Sequence, residues 1–237
     1  MKIVLPMEQA AYNNMFSLED YHWWFRSRRE LFRRVWRRWR LAGEHPPPRV
    51  LDVGCGTGAN LAWVKERLPA LGYGLDYSET ALACSRQRGL PRLCRGDAGR
   101  LPYRDASFDV VHLFDVLYHR AVPEAATLAE IRRVLRPGGW FLVTDCAFEW
   151  LKSGHDVAVQ AARRYRLSEL RHLLESAGFS VRHASYFYCA IFPLVALVRL
   201  WHRITRHPPG VDLSPAPRAV NRLLCGIGRV EAFLATY

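Results

Sequence analysis

Apolar and polar positions follow two different periods along the middle of the chain. Short, nearly continuous apolar runs alternate with longer stretches that place an apolar residue every three or four positions. The longer stretches predict helices between the short runs, and the short runs predict strands at 49–53, 71–76, 91–95, 108–114 and 140–145. Strands separated by helices at this interval form βαβ units. The pattern therefore predicts an α/β fold, a parallel sheet with helices on both faces.

The chain on either side of this region has helical periodicity. Residues 8–41 place aromatic and aliphatic side chains at helical spacing with arginines between them, and the proline-rich stretch 43–48 ends that region. Near the other end, stretches beginning at Phe192 and Arg218 predict two more helices. We therefore divide the chain into a helical cap with its linker at 1–48, a central domain at 49–188, and a helical extension at 189–237.

The segment before the last two helices predicts one more helix and one more strand. Ser168 is the expected cap of that helix and Gly178 its expected stop. Residues 180–188 then alternate polar and apolar side chains, which predicts a sixth strand. No convincing last strand follows before Tyr237.

The first predicted strand runs into a glycine-rich loop, RVLDVGCGTGANL, at residues 49–61. Glycine tolerates positive φ and lets a ligand approach the backbone, and the helix that follows begins with unpaired N–H groups. The loop therefore predicts a nucleotide-like cofactor whose anionic or carboxylate group lies at the helix start. Taken alone, the loop also fits a dinucleotide fingerprint with Asp76 as the ribose acid, so an NAD-dependent oxidoreductase stays open.

Acidic residues recur where the predicted strands end. Because the carboxyl ends of parallel strands meet at one edge of a sheet, these side chains are expected to line a single ligand crevice. The residues concerned are Asp52, Asp76, Asp97, Asp115 together with His119, and Asp145.

Four sequence features carry a family resemblance. In chain order they are DVGCGTG, Asp76, the pair Asp97–Ala98, and the LRPGG turn before the fifth strand. Together they resemble class I S-adenosylmethionine-dependent methyltransferases of the type 11 group, over about residues 49–145. The resemblance implies a Rossmann-like, doubly wound, mostly parallel sheet within a methyltransferase domain at 49–188. It also implies S-adenosylmethionine as the cofactor.

The resemblance assigns roles to individual residues. Asp52 would help to hold the ammonium group of the cofactor, directly or through water. Asp76 would accept from both ribose hydroxyls, and Tyr77 would lie against the adenine. Asp97 and the Ala98 N–H would contact the adenine edge. The expected cofactor-binding residues within the domain are Asp52, Gly54, Cys55, Gly56, Gly58, Asp76, Tyr77, Asp97, Ala98 and Asp115.

Both flanks are similar to a bacterial subgroup of these enzymes associated with glycan or secondary-metabolite pathways. The segments concerned are HWWFRSRREL and WLKSGHDVAVQAARRYRLSEL. In that subgroup the first segment covers the cofactor, which makes Trp24 and Arg28 the expected cover residues. His119 and His155 are the candidate catalytic bases, since histidine titrates near neutral pH. Where the subgroup has a second histidine, this chain has Ala161.

The charge of the chain is strongly positive and uneven. The formal net charge is +12, and residues 26–40 contain eight arginines and one acid. Such a segment is either a solvated helix surface or a contact for an anionic membrane, an anionic substrate or nucleic acid. The apolar stretch 189–201 favours a membrane or a lipid-linked substrate, and nucleic acid is disfavoured because no RNA-binding module is recognisable.

The six cysteines are scattered without metal-ligand spacing, so we expect no metal site and a reducing, cytoplasmic location, with membrane association as a further option. The combined prediction is an S-adenosylmethionine-dependent methyltransferase acting on a small-molecule acceptor, with O-methylation favoured. The acceptor classes considered are glycan, lipid-linked and secondary-metabolite compounds. A non-catalytic cofactor-binding partner subunit and an RNA methyltransferase stay open as alternatives.

Overall fold

The computed structural model describes residues 9–41, 46–205 and 214–236. Two helices precede the sheet, α1 (Gln9–Leu18) and α2 (Trp23–Arg38). The central region contains β1 (Arg49–Val53), α3 (Ala59–Arg67), β2 (Leu71–Asp76), α4 (Glu79–Gln87), β3 (Leu93–Arg95), β4 (Phe108–Phe114), α5 (Glu124–Val134) and β5 (Leu135–Thr144). A 3-10 turn (Glu149–Leu151), α6 (Gly154–Ala158), α7 (Leu167–Ser176), α8 (Phe192–Ile204) and α9 (Arg218–Leu234) follow.

The strands form one parallel sheet in the order β3-β2-β1-β4-β5. The chain builds outward from β1 to β3 and then crosses to the other side of β1 to form β4. A ligand crevice is expected at the carboxyl ends of the two strands where this order reverses. The predicted Rossmann-like, parallel α/β architecture is confirmed.

The two faces of the sheet are covered by different helices. Val111 and Leu113 of β4 point into a core that also contains residues of α5 and α7. The alternate residues His112 and Phe114 point the other way, toward α2, because side chains alternate along a strand. Phe32 of α2 stacks on Phe114 with 4.0 Å between ring centroids. Thus α2 is a packed layer of the domain as well as a cover for its site.

The last helix packs along α2 and holds its beginning. Gly228 of α9 lies so close to Ser27 that a Cβ there would come within 2.1 Å of the serine Oγ. Asn221 accepts the Trp23 N–H through Oδ1 at 2.7 Å and donates through Nδ2 to the Tyr21 carbonyl at 2.9 Å. The Asn221 side chain therefore accepts a backbone N–H at the start of α2, where the first N–H groups of a helix have no hydrogen-bond partner within the helix.

Several predicted boundaries are wrong. The helical region predicted at 8–41 is two helices with a break at 19–22, and residue 8 and the linker residues 43–45 lie outside the described residues. The third strand, predicted at 91–95, is only Leu93–Arg95. The fifth strand begins at Leu135 instead of 140, because a shift in its pairing with β4 between Phe108 and Val110 accommodates the RPGG residues within the strand.

Two further predictions near the end of the domain are also wrong. Helix α7 begins at Leu167, because the Glu169 carboxylate accepts the Arg166 N–H at 2.8 Å and makes Arg166 the cap in place of Ser168. Residues 180–188 form no strand. Within the described residues β5 pairs with β4 alone, and no strand lies between β5 and this segment to bond to it.

Candidate functional site

The three glycines after β1 all adopt positive φ, but for different reasons. A Cβ on Gly54 would lie 2.4 Å from Val116, and one on Gly58 would lie 2.6 Å from the Ser85 Oγ. These two positions are glycine because the protein itself fills the space. A Cβ on Gly56 would meet only the Met15 Cε, at 3.9 Å. The loop therefore leaves open space at its centre, where a ligand can approach the backbone.

Replacing Gly56 by alanine is expected to weaken binding of S-adenosylhomocysteine, the demethylated form of the expected cofactor, by about tenfold to a hundredfold. The added methyl would occupy the open space beside the loop, an overpacking cost of about 1–3 kcal/mol. The free energy of unfolding should fall by only about 1–2 kcal/mol, the cost of a left-handed non-glycine residue. Calorimetric titration and thermal unfolding measure the two effects.

Gly58→Ala is the matched control for this prediction. Its methyl would collide with Ser85 and Leu90 inside the protein, so its main effect should be on stability. Equal losses of affinity and stability in the two variants would contradict a ligand-facing role for Gly56.

Asp76 orders the glycine loop through its carboxylate. Oδ2 accepts the Gly56 N–H and Oδ1 accepts the Ser78 N–H, each at 2.8 Å. Burial raises the pKa of Asp76, and the backbone donors oppose that shift. Tyr12 of α1 lies near the same carboxylate, and burial together with Asp76 raises the pKa of Tyr12 to about 12. Asp76 is therefore fixed in place at the wall of the crevice.

Asp52 is the least satisfied carboxylate of the site. Its side chain is buried, and Oδ2 has no hydrogen-bond partner among the described residues. Burial and the neighbouring Asp76 raise the pKa of Asp52 to about 8. A buried carboxylate oxygen without a partner is costly, and a cationic ligand group would compensate it. The orphaned oxygen therefore fits the ammonium group of S-adenosylmethionine.

The residues expected around the adenine differ in how firmly the protein holds them. Asp97 accepts the Gly99 N–H at 2.7 Å and is exposed beside the half-buried Ala98. Tyr77 is 59% exposed, so its ring is available to a planar ligand. The Cys55 side chain instead joins the core beneath the loop, and burial raises the pKa of its thiol. Only the backbone of Cys55 is placed to meet a ligand.

Helix α2 closes the crevice from the other side. Arg28 forms a largely buried ion pair with Asp115, whose other oxygen accepts the Thr144 hydroxyl at 3.3 Å. Trp24 stacks on Tyr188 with ring centroids 4.2 Å apart, and the Tyr188 hydroxyl donates to the Trp24 carbonyl. The predicted cover residues thus contact both the loop after β4 and the segment before α8.

His119 is held with one ring nitrogen defined. Its Nδ1 lies 2.7 Å from the Val159 carbonyl, which can only accept, so Nδ1 carries the hydrogen and Nε2 is the basic nitrogen of the neutral ring. The ring also stacks on Tyr118 at 4.3 Å. His155 lies in α6, but its side chain is outside the described part of the structure. The nearby Asp156 forms a buried ion pair with Arg164, so this part of the subgroup motif orders the loop.

One large cavity brings most of these residues together. Its volume is about 2080 Å³, and it extends from the glycine loop past His119 to Leu194 and Val198 of α8. Among the predicted residues, its lining includes Trp24, Arg28, Gly54, Cys55, Gly56, Asp76, Tyr77, Asp97, Ala98, Asp115 and His119. Asp52 and Gly58 are not among the described residues that line the cavity.

Some residues at the site carried no signal in the sequence. Tyr12, Met15 and Glu19 of the first helical segment line the cavity beside the glycine loop. Glu19 accepts the Thr57 hydroxyl and pairs with Arg88 at 3.2 Å, which ties this segment to the loop. The Glu19–Arg88 pair joins positions far apart in the chain, so a pattern of local spacing could not reveal it.

The chain is similar to known methyltransferases. A family model described as a methyltransferase domain matches residues 51–143. A Mycolicibacterium smegmatis protein named "Probable S-adenosylmethionine-dependent methyltransferase" is 37% identical over 171 residues, which cover 69% of this chain and 62% of that protein. The phthiotriol/phenolphthiotriol dimycocerosates methyltransferase 1 of Mycobacterium ulcerans is 44% identical over 102 residues, covering 41% of this chain and 37% of that protein.

The solved structures that match share the same fold. A chain of the structure described as "Complex between the Haloferax volcanii Trm112 methyltransferase activator and the putative methyltransferase" aligns with a TM-score of 0.56 and 26% identity, over 72% of each chain. The chain spans less than two thirds of the length of both curated relatives named above.

Proposed function

The chain contains a class I S-adenosylmethionine-dependent methyltransferase domain, and from this premise we propose that it methylates a hydroxyl group of an amphiphilic small molecule. S-adenosylmethionine is its cofactor. The nicotinamide alternative, which the glycine loop alone left open, is thereby set aside. The hydroxyl acceptor and its amphiphilic character are the proposed part.

We assign the cofactor to the crevice formed by the glycine loop, Asp52 and Asp76. The open space at Gly56 and the unpartnered Oδ2 of Asp52 support this placement. Asp76 is rigidly held and would accept from the ribose hydroxyls. Tyr77 and the Asp97–Ala98 pair would contact the adenine.

The chemistry requires alignment and removal of one proton. When bound, S-adenosylmethionine supplies a methyl group on a sulfonium sulfur; transfer to a hydroxyl forms a C–O bond, leaves the electrons of the broken C–S bond on sulfur and releases one proton. We propose that the Nε2 of His119 accepts this proton, since the Nδ1–H bond to Val159 orients the ring. The cavity walls hold the acceptor in line, and such orientation supplies about 7–11 kcal/mol of barrier reduction.

The lining of the cavity carries the proposal for the acceptor. The volume of about 2080 Å³ includes space along the outer edge of β5, as far as Arg136 and Gly138 at the beginning of that strand, away from the glycine loop. Beside the glycine loop, the cavity continues past His119 to α8, and this part can hold an acceptor next to the cofactor. The part of the lining contributed by α8, Leu194, Val195 and Val198, is aliphatic, which suits the apolar portion of an amphiphile.

The name of one relative supports the same acceptor class. The Mycobacterium ulcerans enzyme is named a phthiotriol/phenolphthiotriol dimycocerosates methyltransferase, and the word triol in that name denotes hydroxyl groups. A lipid-like acceptor with a hydroxyl group would agree with the name of that relative and with the aliphatic part of the cavity lining. Within the described residues, no helix is long and apolar enough to cross a membrane. We propose a cytoplasmic location with peripheral membrane contact, which the six free cysteines and the net charge of +12 support.

The test is methyl transfer to hydroxylated amphiphiles, such as long-chain diols, phenols and glycolipids, followed by mass spectrometry. We expect a methyl ether product from at least one class, and His119→Asn should lower kcat about a hundredfold, the lower end of a positioned base's contribution. Calorimetric affinity for S-adenosylhomocysteine should not change in this variant. The exposed His172 of α7 gives the matched control, His172→Asn, which should keep the full rate.

The remaining outcomes distinguish the alternatives. Tight cofactor binding without turnover on any acceptor would favour the non-catalytic partner subunit, and methylation of RNA would replace the small-molecule acceptor. A normal methylation rate in His119→Asn together with a reduced rate in His155→Asn would identify His155 of α6 as the base. The division into 1–48, 49–188 and 189–237 remains a prediction, which limited proteolysis can examine.

A further inference from the structure

Helix α9 turns an apolar stripe away from the protein. Its buried face is narrow and consists of small residues, namely Cys225, Gly228 and Ala232. Leu223, Val230 and Leu234, at helical spacing along one side, are 65%, 62% and 67% exposed. Apolar residues on a surface helix ordinarily face the core. The outward stripe of α9 therefore has no packing role within the described residues.

Arginines border this stripe. At about 100° per residue, the exposed Arg218, Arg222 and Arg229 lie along the edge between the stripe and the buried face. The guanidinium of Arg34 on α2 lies 5.2 Å from the Phe233 ring. The acid of α9, Glu231, points inward and accepts the Cys189 N–H. An apolar stripe edged by arginines is the arrangement of a helix that lies in the plane of an anionic membrane.

Helix α8 also turns apolar residues away from the protein. Phe192, in its first turn, contacts the domain, with its ring centroid 5.6 Å from Phe148 and 5.8 Å from Trp150. Six apolar residues fall within an arc of about 160° on the other side. They are between 44% and 69% exposed: Leu194, Leu197, Val198, Leu200, Trp201 and Ile204. Each of the two helices thus presents exposed apolar residues outward, and an exposed apolar patch of this kind marks an interaction site.

Both helices also border the cavity of the site. Leu194 and Val198 of α8 and Leu224 of α9 line the same cavity as Gly56 and His119. We propose that the outward surfaces of α8 and α9 lie against an anionic membrane, and that the acceptor enters the cavity from the lipid between them. The route of entry rests on the proposed methyltransferase activity. The membrane contact assigns a surface to the peripheral association proposed above and does not depend on that activity.

Charge favours a lipid surface over a second copy of the chain. A symmetric dimer through this surface would bring together two sets of arginines from chains that each carry a net charge of +12. Such like-charge juxtaposition is unfavourable. An anionic bilayer neutralises the same arginines and buries the apolar stripes, so a single occupant accounts for both features.

The experiment is co-sedimentation of the full chain with phosphatidylcholine vesicles prepared with and without phosphatidylglycerol. We expect binding that requires the anionic lipid and weakens at high salt. Leu223→Glu/Val230→Glu on α9 and Leu197→Glu/Trp201→Glu on α8 should each lower partitioning by at least about tenfold. All four side chains are exposed, so the thermal unfolding midpoint should change little.

Val157→Glu is the control, since Val157 is 75% exposed but lies on α6. It should bind vesicles as the unaltered chain does. Equal binding to neutral vesicles, unchanged binding of both double variants, or a lipid-free dimer that these variants dissociate would each overturn the proposal. S-adenosylhomocysteine titration of the same variants should be normal, so loss of membrane binding is distinguishable from failure of the methyltransferase assignment.

Discussion

Asp76→Ala is expected to weaken binding of S-adenosylmethionine at least a hundredfold. The variant would lack the carboxylate that we propose as acceptor for the ribose hydroxyls. It would also lose the bonds from the Gly56 and Ser78 N–H groups to that carboxylate, which order the loop. Each hydrogen bond to a charged group contributes about 1.5–3 kcal/mol, so two of them correspond to a factor of a hundred or more. Isothermal titration with S-adenosylmethionine and with S-adenosylhomocysteine measures the loss.

The control for Asp76 is a carboxylate with a similar structural task elsewhere. Asp109 accepts the Arg49 N–H at 2.7 Å and pairs with Arg136 at 2.6 Å. These contacts lie where β1 and β4 begin, at the end of the sheet away from the glycine loop. Asp109→Ala should destabilise the fold but leave cofactor affinity intact in the folded protein. If both variants lost affinity in proportion to their stability, Asp76 would be a structural residue alone.

The second large effect concerns stability in acid. His112 is fully buried on β4, with its ring 4.7 Å from Phe114 and 5.9 Å from Trp36, and neither ring nitrogen has a hydrogen-bond partner among the described residues. Burial lowers the pKa of His112 to about 3 in the folded chain. The unfolded chain, with a histidine pKa of about 6.5, binds the proton far more readily.

The sign of the pH dependence follows from this difference. Between pH 6.5 and pH 3 the unfolded state carries more protons, so the free energy of unfolding falls as the pH is lowered through this range. The shift of about 3.5 pKa units corresponds to about 5 kcal/mol in total. His112→Leu should remove this contribution, and because no hydrogen bond is lost, it should cost little stability at pH 8.

Urea unfolding of the unaltered chain and of His112→Leu at several pH values checks this expectation. The difference between the two curves isolates His112 from the carboxylates, which titrate in both proteins. The exposed His172 supplies the control, since His172→Leu should keep the acid sensitivity of the unaltered chain. Parallel curves for the unaltered chain and His112→Leu would show that His112 is protonated, or reaches water, in the folded state.

The central region was predictable because local rules decide it. Strands β1, β2 and β4 begin and end where the apolar runs do, since buried parallel strands need continuous apolar residues. Gly54, Asp76 and Asp97 lie at or just after strand ends, and parallel topology alone brings such positions to one crevice. The family, the fold and the cofactor all follow from this part of the sequence.

The flanks were less predictable because their partners are distant in sequence. The periodicity of α9 identified a helix, but it could not tell that Leu223 and Val230 face outward while Gly228 packs on Ser27 of α2. Likewise the alternation in 180–188 is typical of a strand, yet within the described residues no strand pairs with this segment. Tertiary packing decides both outcomes.

The sequence by itself determined the methyltransferase fold, the glycine loop and the row of acids, because these depend on residue type and on spacing within βαβ units. Only the tertiary structure decided which glycine faces a ligand, that α2 is a layer of the domain held by Asn221, and that one cavity joins the cofactor loop to α8. Those features depend on contacts between segments up to about 200 positions apart. Such contacts form only when burial of apolar surface brings the segments together.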